Sequence, residues 1–290
     1  MKLFTVPTDW AAWCCESRRN GQKLALVPTM GNLHEGHVSL IRRARQEADV
    51  VTVSIFVNPV QFGPSEDFAA YPRTLEADLE RCRAEGADAV FAPAPAAMYE
   101  PNASVWVTED MLSNVLCGAS RPGHFRGVCT IVLKLFNLSQ ADAAVFGQKD
   151  AQQLRIVRKM VHDLNIPIKI IGFPTVREAD GLAMSSRNRY LSPAERAEAA
   201  ALFQALSAAK NAFQTEKIET PAELLRIVRA IITERAPSAR VEYAELVDDA
   251  TLSPLPSTLP ISNKALLALA VRFGPTRLID NIELSPPTRQ

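Results

Sequence analysis

Two of the chain's four histidines, His34 and His37, lie three residues apart in the glycine-containing segment 28–37, directly after an apolar run. An imidazole exchanges its proton near neutral pH and donates hydrogen bonds to anions. Gly31 and Gly36 let the backbone come close to a phosphate, and a helix that begins after a strand directs its first N–H groups at an anion. The segment therefore predicts a nucleotide site at a strand-to-helix junction.

The residues that follow predict the helix of this junction. Between residues 37 and 49, Val38, Ile41, Ala44 and Ala48 recur at helical spacing, and charged residues occupy the other side. The two histidines would then share one side of the helix entrance. For either histidine alone, an ordinary surface or core residue is the alternative, whereas the pair at a glycine-rich junction favours a site.

Two amide side chains, Asn58 and Gln61, follow the next predicted strand. Neutral amides orient hydroxyl and carboxylate groups without a charge, which suits a small polar substrate. A plain Asn-Pro turn is the alternative. Further along the chain, Asp78 could hold Mg²⁺ through water, with a solvated charge on an amphipathic helix as the alternative.

Cations and glycines are concentrated in the segment Arg121-Pro-Gly-His124-Phe-Arg-Gly, which precedes an apolar helical pattern. This composition is typical of a site for an anionic oxygen, and an ordinary loop is the alternative. Lys149 and Asp150 follow another predicted strand and open a helix. Lys149 suits a phosphate, while Asp150 suits ribose hydroxyls or the cap of the helix, and the two roles of Asp150 are compatible.

A further polar cluster, residues 177–188, carries two consecutive serines followed by Arg187. Hydroxyls beside a guanidinium suit a mobile loop that closes over a triphosphate, with Gly181 as a flexible point. Serine and arginine are also common in ordinary linkers, which is the alternative.

The pattern of elements predicts two domains, residues 1–175 and 176–290. In the first, apolar strands alternate with helices, which is typical of an α/β fold with a Rossmann-like, doubly wound parallel sheet and ligands at the carboxyl ends of its strands. In the second, two helices with capping-box sequences precede three strands, which predicts a smaller α+β domain, interpreted as a lid. The predicted strands are 24–28, 50–57, 88–92, 142–146, 167–172, 240–247, 265–273 and 276–283, and the predicted helices are 37–49, 74–85, 128–138, 150–164, 193–213 and 221–235.

The composition narrows the class of protein. Of the 290 residues, 47% are hydrophobic and 22% charged, and 32 basic residues balance 32 acidic ones, so that no overall field favours nucleic acid or an anionic membrane. The five cysteines show neither a paired framework nor a metal-ligand spacing, which fits a reducing compartment. No apolar run suits a signal peptide or a membrane span. We therefore expect a cytoplasmic protein.

Six motifs in order give a more specific identification. They are Pro-Thr-Met-Gly-x-Leu-His-Glu-Gly-His, Phe-Val-Asn-Pro-x-Gln-Phe, Tyr-Pro-Arg, Arg-Pro-Gly-His-Phe-x-Gly-Val, Phe-Gly-Gln-Lys-Asp-x-Gln-Gln and Arg-Glu-x-Asp-Gly-Leu-Ala-Met-Ser-Ser-Arg-Asn. Together they resemble the pantothenate synthetases, also called pantoate–beta-alanine ligases, of the HIGH-type nucleotidyltransferase superfamily. The resemblance is dense over residues 24–191 and weak elsewhere, and the segment 184–187 takes the place of the superfamily's KMSKS-like loop.

The resemblance implies an ATP-dependent ligase that forms pantoyl adenylate and pyrophosphate from pantoate and ATP, and then pantothenate and AMP from the adenylate and beta-alanine. It implies that His37 is the proton donor and that His34, Lys149 and Arg187 are the other catalytic residues. It also implies that the backbone of Val176 contacts adenine and that Asp78 lies beside Mg²⁺. The expected ATP contacts are Met30, Gly31, Asn32, Leu33, His34, Glu35, Gly36, His37, Gly147, Gln148, Lys149, Asp150, Val176, Met184, Ser185, Ser186 and Arg187. The expected substrate contacts are Met30, Asn58, Gln61, Phe62, Arg121, His124 and Gln153.

Two other functions stay open at this point, and the resemblance adds one expectation about assembly. An adenylyltransferase of the same superfamily would leave AMP on a phosphate acceptor. A nucleic-acid-binding fragment related to a class I aminoacyl-tRNA synthetase is disfavoured by the zero net charge and the lack of a basic stripe. The resemblance also implies a homodimer.

Overall fold

The computed structural model describes residues 1–64, 66–215 and 218–286. The chain divides into two compact units. The first unit comprises residues 1–110, 121–148 and 153–175, and the second comprises residues 111–120, 149–152 and the described part of 176–290. The domain boundary at residue 175 and the lid stay predictions.

The first unit contains a six-stranded sheet in which every neighbouring pair of strands is parallel, as the α/β fold class requires. The sheet confirms the five predicted strands of this region and adds a short edge strand, β1, which the sequence analysis missed. The strands run in the order β1-β4-β3-β2-β5-β6. They are β1 (Lys2–Phe4), β2 (Leu24–Thr29), β3 (Val50–Ile55), β4 (Ala89–Phe91), β5 (Ala143–Gly147) and β6 (Lys169–Phe173).

Helices connect these strands, as a parallel sheet demands. The first of them, before β2, was also missed, because its apolar residues 10–15 form one continuous run without helical periodicity. The helices are α1 (Pro7–Arg19), α2 (Glu35–Arg45), α3 (Leu75–Ala84), α4 (Pro95–Met98), α5 (Leu116–Ser120), α6 (His124–Ser139) and α7 (Ala151–Asp163), with α5 assigned to the second unit and α7 beginning there.

The order of connection reverses at β2, which lies between β3 and β5. Its register with β3 runs from Leu24 to Thr29, whereas its register with β5 covers only Ala25 and Leu26. Pro28, which has no N–H to donate, lies beyond the pairing with β5. Because ligands of open α/β sheets bind where the strand order reverses, the segment that follows Thr29 is the expected place for a site.

The second unit packs helices on a three-stranded antiparallel sheet of order β7-β8-β9. The central strand β8 is buried along almost its whole length, and its apolar side chains share one core with the helices that follow residue 190. This confirms the predicted α+β architecture. The elements are α8 (Pro193–Ala199), α9 (Ala201–Thr215), α10 (Pro221–Arg235), β7 (Ala239–Asp248), β8 (Ala265–Phe273) and β9 (Thr276–Leu284).

Two local predictions in the second unit are wrong. The single helix predicted over 193–213 is broken at Ala200 into α8 and α9, where a run of alanines gives no sequence signal for a boundary. Ser192 and Glu195 form the predicted capping box, but Thr220 caps no backbone N–H and donates its hydroxyl to the Glu223 carboxylate instead, at 2.5 Å. Of the helices that the structure describes, none has the length and apolar character needed to cross a membrane.

Candidate active site

The two histidines of the segment 28–37 form the N-terminus of α2. His34 is the N-cap residue, and its Nδ1 accepts a hydrogen bond from Gly36 N at 3.1 Å. Three residues on, His37 Nδ1 accepts from His34 N at 3.3 Å. The ring centroids are 4.1 Å apart. The pair therefore forms a capping box made of imidazoles, and both rings lie on one side of the helix entrance, as predicted.

These hydrogen bonds determine the neutral tautomer of both rings. Because each Nδ1 accepts an N–H, it carries no proton, and the proton of each neutral ring is on Nε2. His34 and His37 thus each carry an Nε2–H donor at a helix N-terminus, where the helix dipole favours an anion. This arrangement can stabilise charge on a phosphate through hydrogen bonds from Nε2–H.

The backbone before His34 is held by α3. Asp78, only 2% exposed, accepts hydrogen bonds from Asn32 N at 2.8 Å and Leu33 N at 2.7 Å, and Thr74 Oγ1 donates to it at 3.2 Å. Arg81 donates to Leu33 O. The predicted alternative for Asp78, a solvated surface charge, is wrong.

The surroundings of Asp78 do not fit a Mg²⁺ ligand either. Both of its oxygens are occupied by donors from the protein. Mg²⁺ demands near-octahedral oxygen ligation and keeps several waters, whereas this carboxylate is 2% exposed and bonded to the protein through both oxygens. Within residues 1–64, 66–215 and 218–286, no group of three or more His, Cys, Asp or Glu residues could hold a metal ion.

The predicted amide cluster comes together in the first unit. Gln61 Oε1 accepts from Asn58 Nδ2 at 3.0 Å, and Gln61 Nε2 donates to Met30 Sδ at 3.1 Å. A thioether is a weak acceptor, so a substrate oxygen would replace this last bond with a stronger one. Phe62 follows in the chain and packs edge-on against Tyr71. The cluster can thus offer an amide N–H and apolar surface to one small polar molecule.

His124 holds the backbone of Gln61. Arg121 Nη1 lies 3.1 Å from His124 Nε2, and His124 Nδ1 lies 2.8 Å from Gln61 O. Because a guanidinium only donates, His124 Nε2 must accept, and Nδ1–H donates to the carbonyl. Arg121 also binds both oxygens of Glu66, at 2.6 Å each. Burial by itself would raise the pKa of the Glu66 carboxyl, but the Arg121 guanidinium outweighs it and lowers that pKa.

A glycine of α6 allows this turn to approach the helix. A Cβ placed on Gly127 would lie 2.7 Å from both Gln61 N and Val60 O, a distance that real side chains essentially never show. Gly127 O in turn accepts from Asn58 Nδ2 at 3.1 Å. The sequence analysis included Gly127 in a motif without giving it a role. The signal, a glycine inside an apolar helix, is typical of close backbone contact.

The second unit carries the predicted phosphate-binding loop. Met184 N donates to Val176 O at 3.0 Å, and Ser185 caps the 3₁₀-helix Ser186–Tyr190 by accepting from Arg187 N at 3.3 Å. Gly181 has a positive φ of 94°, and a Cβ there would lie 2.3 Å from the Phe203 ring. The structure therefore gives this glycine a packing role.

This segment is attached to the body of the second unit by ion pairs. Arg177 binds both oxygens of the buried Asp280, at 2.6 and 3.0 Å, and its guanidinium lies 3.9 Å from the Phe203 ring centroid. Arg196 bridges Glu178 and Asp180. The sequence analysis did not identify these contacts, because each partner is remote in the chain or one of many charged residues.

Lys149 and Asp150 lie in the 3₁₀-helix Gln148–Asp150, between β5 and α7. Asn281 Nδ2 donates to Lys149 O at 2.9 Å, which links this turn to β9 within the second unit. The neighbouring Gln152 is buried and binds the backbone of residues 112, 115 and 117 at 2.7–3.0 Å. Gln153, the predicted substrate contact, is half-buried at the start of α7 in the first unit.

Known proteins resemble this chain over nearly its full length. A family model described as Pantoate-beta-alanine ligase matches residues 2–283. A curated pantothenate synthetase from Geobacter sulfurreducens is 50% identical over 284 residues, which cover 98% of this chain and 99% of the relative.

Solved structures agree with that match. A pantothenate synthetase from Thermus thermophilus is 43% identical with a TM-score of 0.92, covering 99% of this chain and 100% of that chain. A pantoate-beta-alanine ligase from Francisella tularensis, complexed with beta-gamma ATP and beta-alanine, is 32% identical with a TM-score of 0.78, covering 97% of each chain. By sequence and by fold, therefore, this chain is a ligase and belongs to the pantoate-beta-alanine ligase family.

Proposed function

We propose that this ligase joins pantoate to beta-alanine in two steps and that ATP reacts with pantoate in the first of them. A carboxylate oxygen of pantoate attacks the α-phosphorus of ATP, and pyrophosphate leaves with the electrons of the broken P–O bond. The amine of beta-alanine then attacks the carbonyl carbon of the pantoyl adenylate, and AMP leaves. The observation that carries the proposal is the imidazole pair at the start of α2, in which each Nδ1 accepts a backbone N–H, so that the proton of each neutral ring is on Nε2.

The first step brings a carboxylate to a polyanion, so the protein has to offset repulsion and align the two groups. We assign His34 and His37 to the α-phosphate and to the departing pyrophosphate. We assign the role of proton donor to His37, which would fill it in its protonated, imidazolium form. The helix N-terminus behind the rings adds a favourable field for the developing negative charge.

Pantoate is assigned to the amide cluster of the first unit. When pantoate binds, Gln61 Nε2 gives up its weak bond to the Met30 thioether and donates to a pantoate oxygen. This exchange favours ligands that carry hydroxyl or carboxylate oxygens. Gln153 is the second amide, and Phe62 packs against the methyl groups. Glu66 partly neutralises the charge of Arg121. We therefore assign Arg121, Asn58 and His124 mainly to holding the backbone turn at Gln61 in place.

The ATP contacts of the proposal are those that the family resemblance implies, and ATP enters as its usual Mg²⁺ complex, with the metal on the phosphates. Lys149, Ser185, Ser186 and Arg187 meet phosphate oxygens, and Val176 offers its backbone to adenine. Gly147 and Asp150 meet the ribose. The remaining ATP contacts of the proposal are Met30, Gly31, Asn32, Leu33, Glu35, Gly36, Gln148 and Met184.

The direct test separates the two steps. The protein is incubated with ATP, Mg²⁺ and pantoate, and pyrophosphate and a mass corresponding to pantoyl adenylate are measured; beta-alanine is then added, and pantothenate and AMP are measured. We expect pantoate-dependent exchange of labelled pyrophosphate into ATP before beta-alanine is present. A product that retains AMP would instead identify an adenylyltransferase, and retention of labelled RNA on a filter would favour the nucleic-acid-binding alternative.

Variants test the assigned residues. His34→Ala, His37→Ala and Lys149→Ala should each lower pyrophosphate exchange roughly 100-fold or more, because each removes a donor or charge from the transition state. The matched control is His162→Ala, since that side chain is 85% exposed on α7. Near-normal exchange in all three variants, with folding intact by circular dichroism, would reject the assignment.

The proposal includes a homodimer and a cytoplasmic location. The dimer follows from the family, and the location from the five cysteines, all of which are free thiols in the structure. Light scattering on the purified protein measures the first, and fractionation of the source cells measures the second. A monomeric mass or recovery outside the cytoplasm would remove the corresponding part of the proposal.

A further inference from the structure

The loop Gly31–Leu33, between β2 and His34, has a left-handed backbone at its first two residues. Gly31 has φ = 80° and Asn32, a non-glycine residue, has φ = 49°. A left-handed conformation is strained for a residue that has a Cβ, and it persists where the surroundings impose it. Asn32 and Leu33 are also buried, so that their N–H groups need partners inside the protein.

We propose that Asp78 and Arg81 of α3 are positioning residues that impose this loop conformation and thereby aim the imidazoles of His34 and His37. The inference rests on the proposed function of those two histidines. It assigns to Asp78 a role in the geometry of the site in place of Mg²⁺ binding.

The contacts of Asp78 carry the first half of the argument. Asn32 N donates to one carboxylate oxygen and Leu33 N to the other, at 2.8 and 2.7 Å. Gly31 lies so close that a Cβ on it would be 3.1 Å from the same carboxylate. One buried side chain thus satisfies two consecutive N–H groups of the strained loop, which a neutral side chain of the same size cannot do with equal strength.

The contact of Arg81 carries the second half. Arg81 donates to Leu33 O, and this carbonyl belongs to the same planar peptide unit as His34 N. On the other side of that unit, His34 N donates to His37 Nδ1 at 3.3 Å. A tilt of this one peptide would therefore weaken the bond that orients His37, and it would move the N-cap residue His34 directly.

The test uses two substitutions on α3 and a matched control on the same helix. Asp78→Asn places an amide N–H against a backbone N–H of the loop, and Arg81→Met removes the donor to Leu33 O. Arg81→Lys keeps a cationic donor. The control, Glu76→Gln, makes the same carboxylate-to-amide change at an exposed position of the first turn of α3.

We expect Asp78→Asn to lower kcat of pantoate-dependent pyrophosphate exchange roughly 30-fold, because misplacements near 1 Å cost rates of that order. Arg81→Met should lower it less, and Arg81→Lys should restore most of the loss. The Mg²⁺ concentration for half-maximal rate should stay within about twofold of wild type. Glu76→Gln should match wild type in every measurement.

Nitrogen-15 NMR of the imidazoles gives a readout that a purely stabilising residue would not change. With only four histidines in the chain, the signals of His34 and His37 are assignable from single variants. We expect both to be Nε2–H tautomers in the wild type, and both patterns to change in Asp78→Asn and Arg81→Met at a temperature well below unfolding.

Three results would overturn the proposal. One is a Mg²⁺ midpoint raised severalfold in Asp78→Asn with kcat recovered at high Mg²⁺, and another is wild-type imidazole spectra and rates in both α3 variants. The third needs only the wild type: paramagnetic broadening of Asp78 and Leu33 signals by MnCl₂ alone would identify a metal site, even if Asp78→Asn fails to fold. If His34→Ala and His37→Ala stay active, the proposed function fails, whereas the spectra still decide the positioning role.

Discussion

Gly127→Ala tests the geometry of the amide cluster, the proposed pantoate site, without removing any polar group. The added Cβ would lie 2.7 Å from Gln61 N and from Val60 O, and both are backbone atoms that cannot rotate away. Restoring an ordinary contact requires the turn Pro59–Gln61 to move by roughly 0.7 Å relative to α6. The displacement carries the Gln61 side chain away from Met30 and strains the bond from Asn58 to the helix.

Two stability terms oppose each other in this variant. Overpacking costs about 1–3 kcal/mol, and replacing glycine by alanine inside a helix returns up to about 1 kcal/mol. We therefore expect a modest loss of unfolding free energy, about 1 kcal/mol, which leaves the protein folded at 25 °C. Because substrate alignment depends on sub-ångström placement, the Kd for pantoate should rise roughly 10- to 100-fold while the Kd for ATP stays nearly unchanged.

Isothermal titration with each substrate separately measures both constants, and thermal unfolding by circular dichroism measures the stability. The control is Gly63→Ala, whose Cβ would meet only the Glu66 side chain at 3.7 Å or more. A Gly127→Ala protein that binds pantoate as tightly as wild type would refute the reasoning, since the close approach would then have no bearing on Gln61.

Three further predictions concern the second unit. Asp280→Asn leaves the half-buried Arg177 guanidinium without its bidentate carboxylate partner and should lower the free energy of unfolding in urea by roughly 3 kcal/mol; a loss below 1 kcal/mol would contradict this. Burial favours protonation of Glu242, but Arg277 outweighs it and lowers the Glu242 pKa to about 2, so stability that depends on its charge should be present above pH 4.5 and lost as the pH falls toward 2. Unfolding measured across that range should show a shallower acid dependence for Glu242→Gln. Finally, Ser192→Ala should cost about 1 kcal/mol and Thr220→Ala less than half of that, because only the serine caps a backbone N–H; equal losses in melts of the two variants would count against this interpretation.

Much of the fold follows from local patterns. The alternation of apolar strands and amphipathic helices predicted the parallel sheet, and the antiparallel strands near residues 265–284 appeared nearly where expected. The failures are places where local patterns carry no information. The break at Ala200 has no cap or breaker residue, and β1 is too short for a periodicity to be visible.

The candidate site divides in the same way. Its strand-to-helix junction and its amide cluster were predictable, because each is a contiguous motif whose spacing has a direct structural meaning. Asp78 was not, since an aspartate on an amphipathic helix is usually solvated, and only the packing of α3 against the loop 46 residues away buries it. For Gly181 the same holds, because the ring that demands a glycine belongs to Phe203.

The sequence by itself determined where the chemistry-bearing residues occur and which of them share a helix turn, because those relations depend on spacing along the chain. Only the tertiary structure decided which nitrogen of His124 carries the proton, which carboxylate is buried, and which glycine admits a neighbouring backbone. Those properties depend on partners remote in sequence, and hydrogen bonds and close packing are set by distances in space.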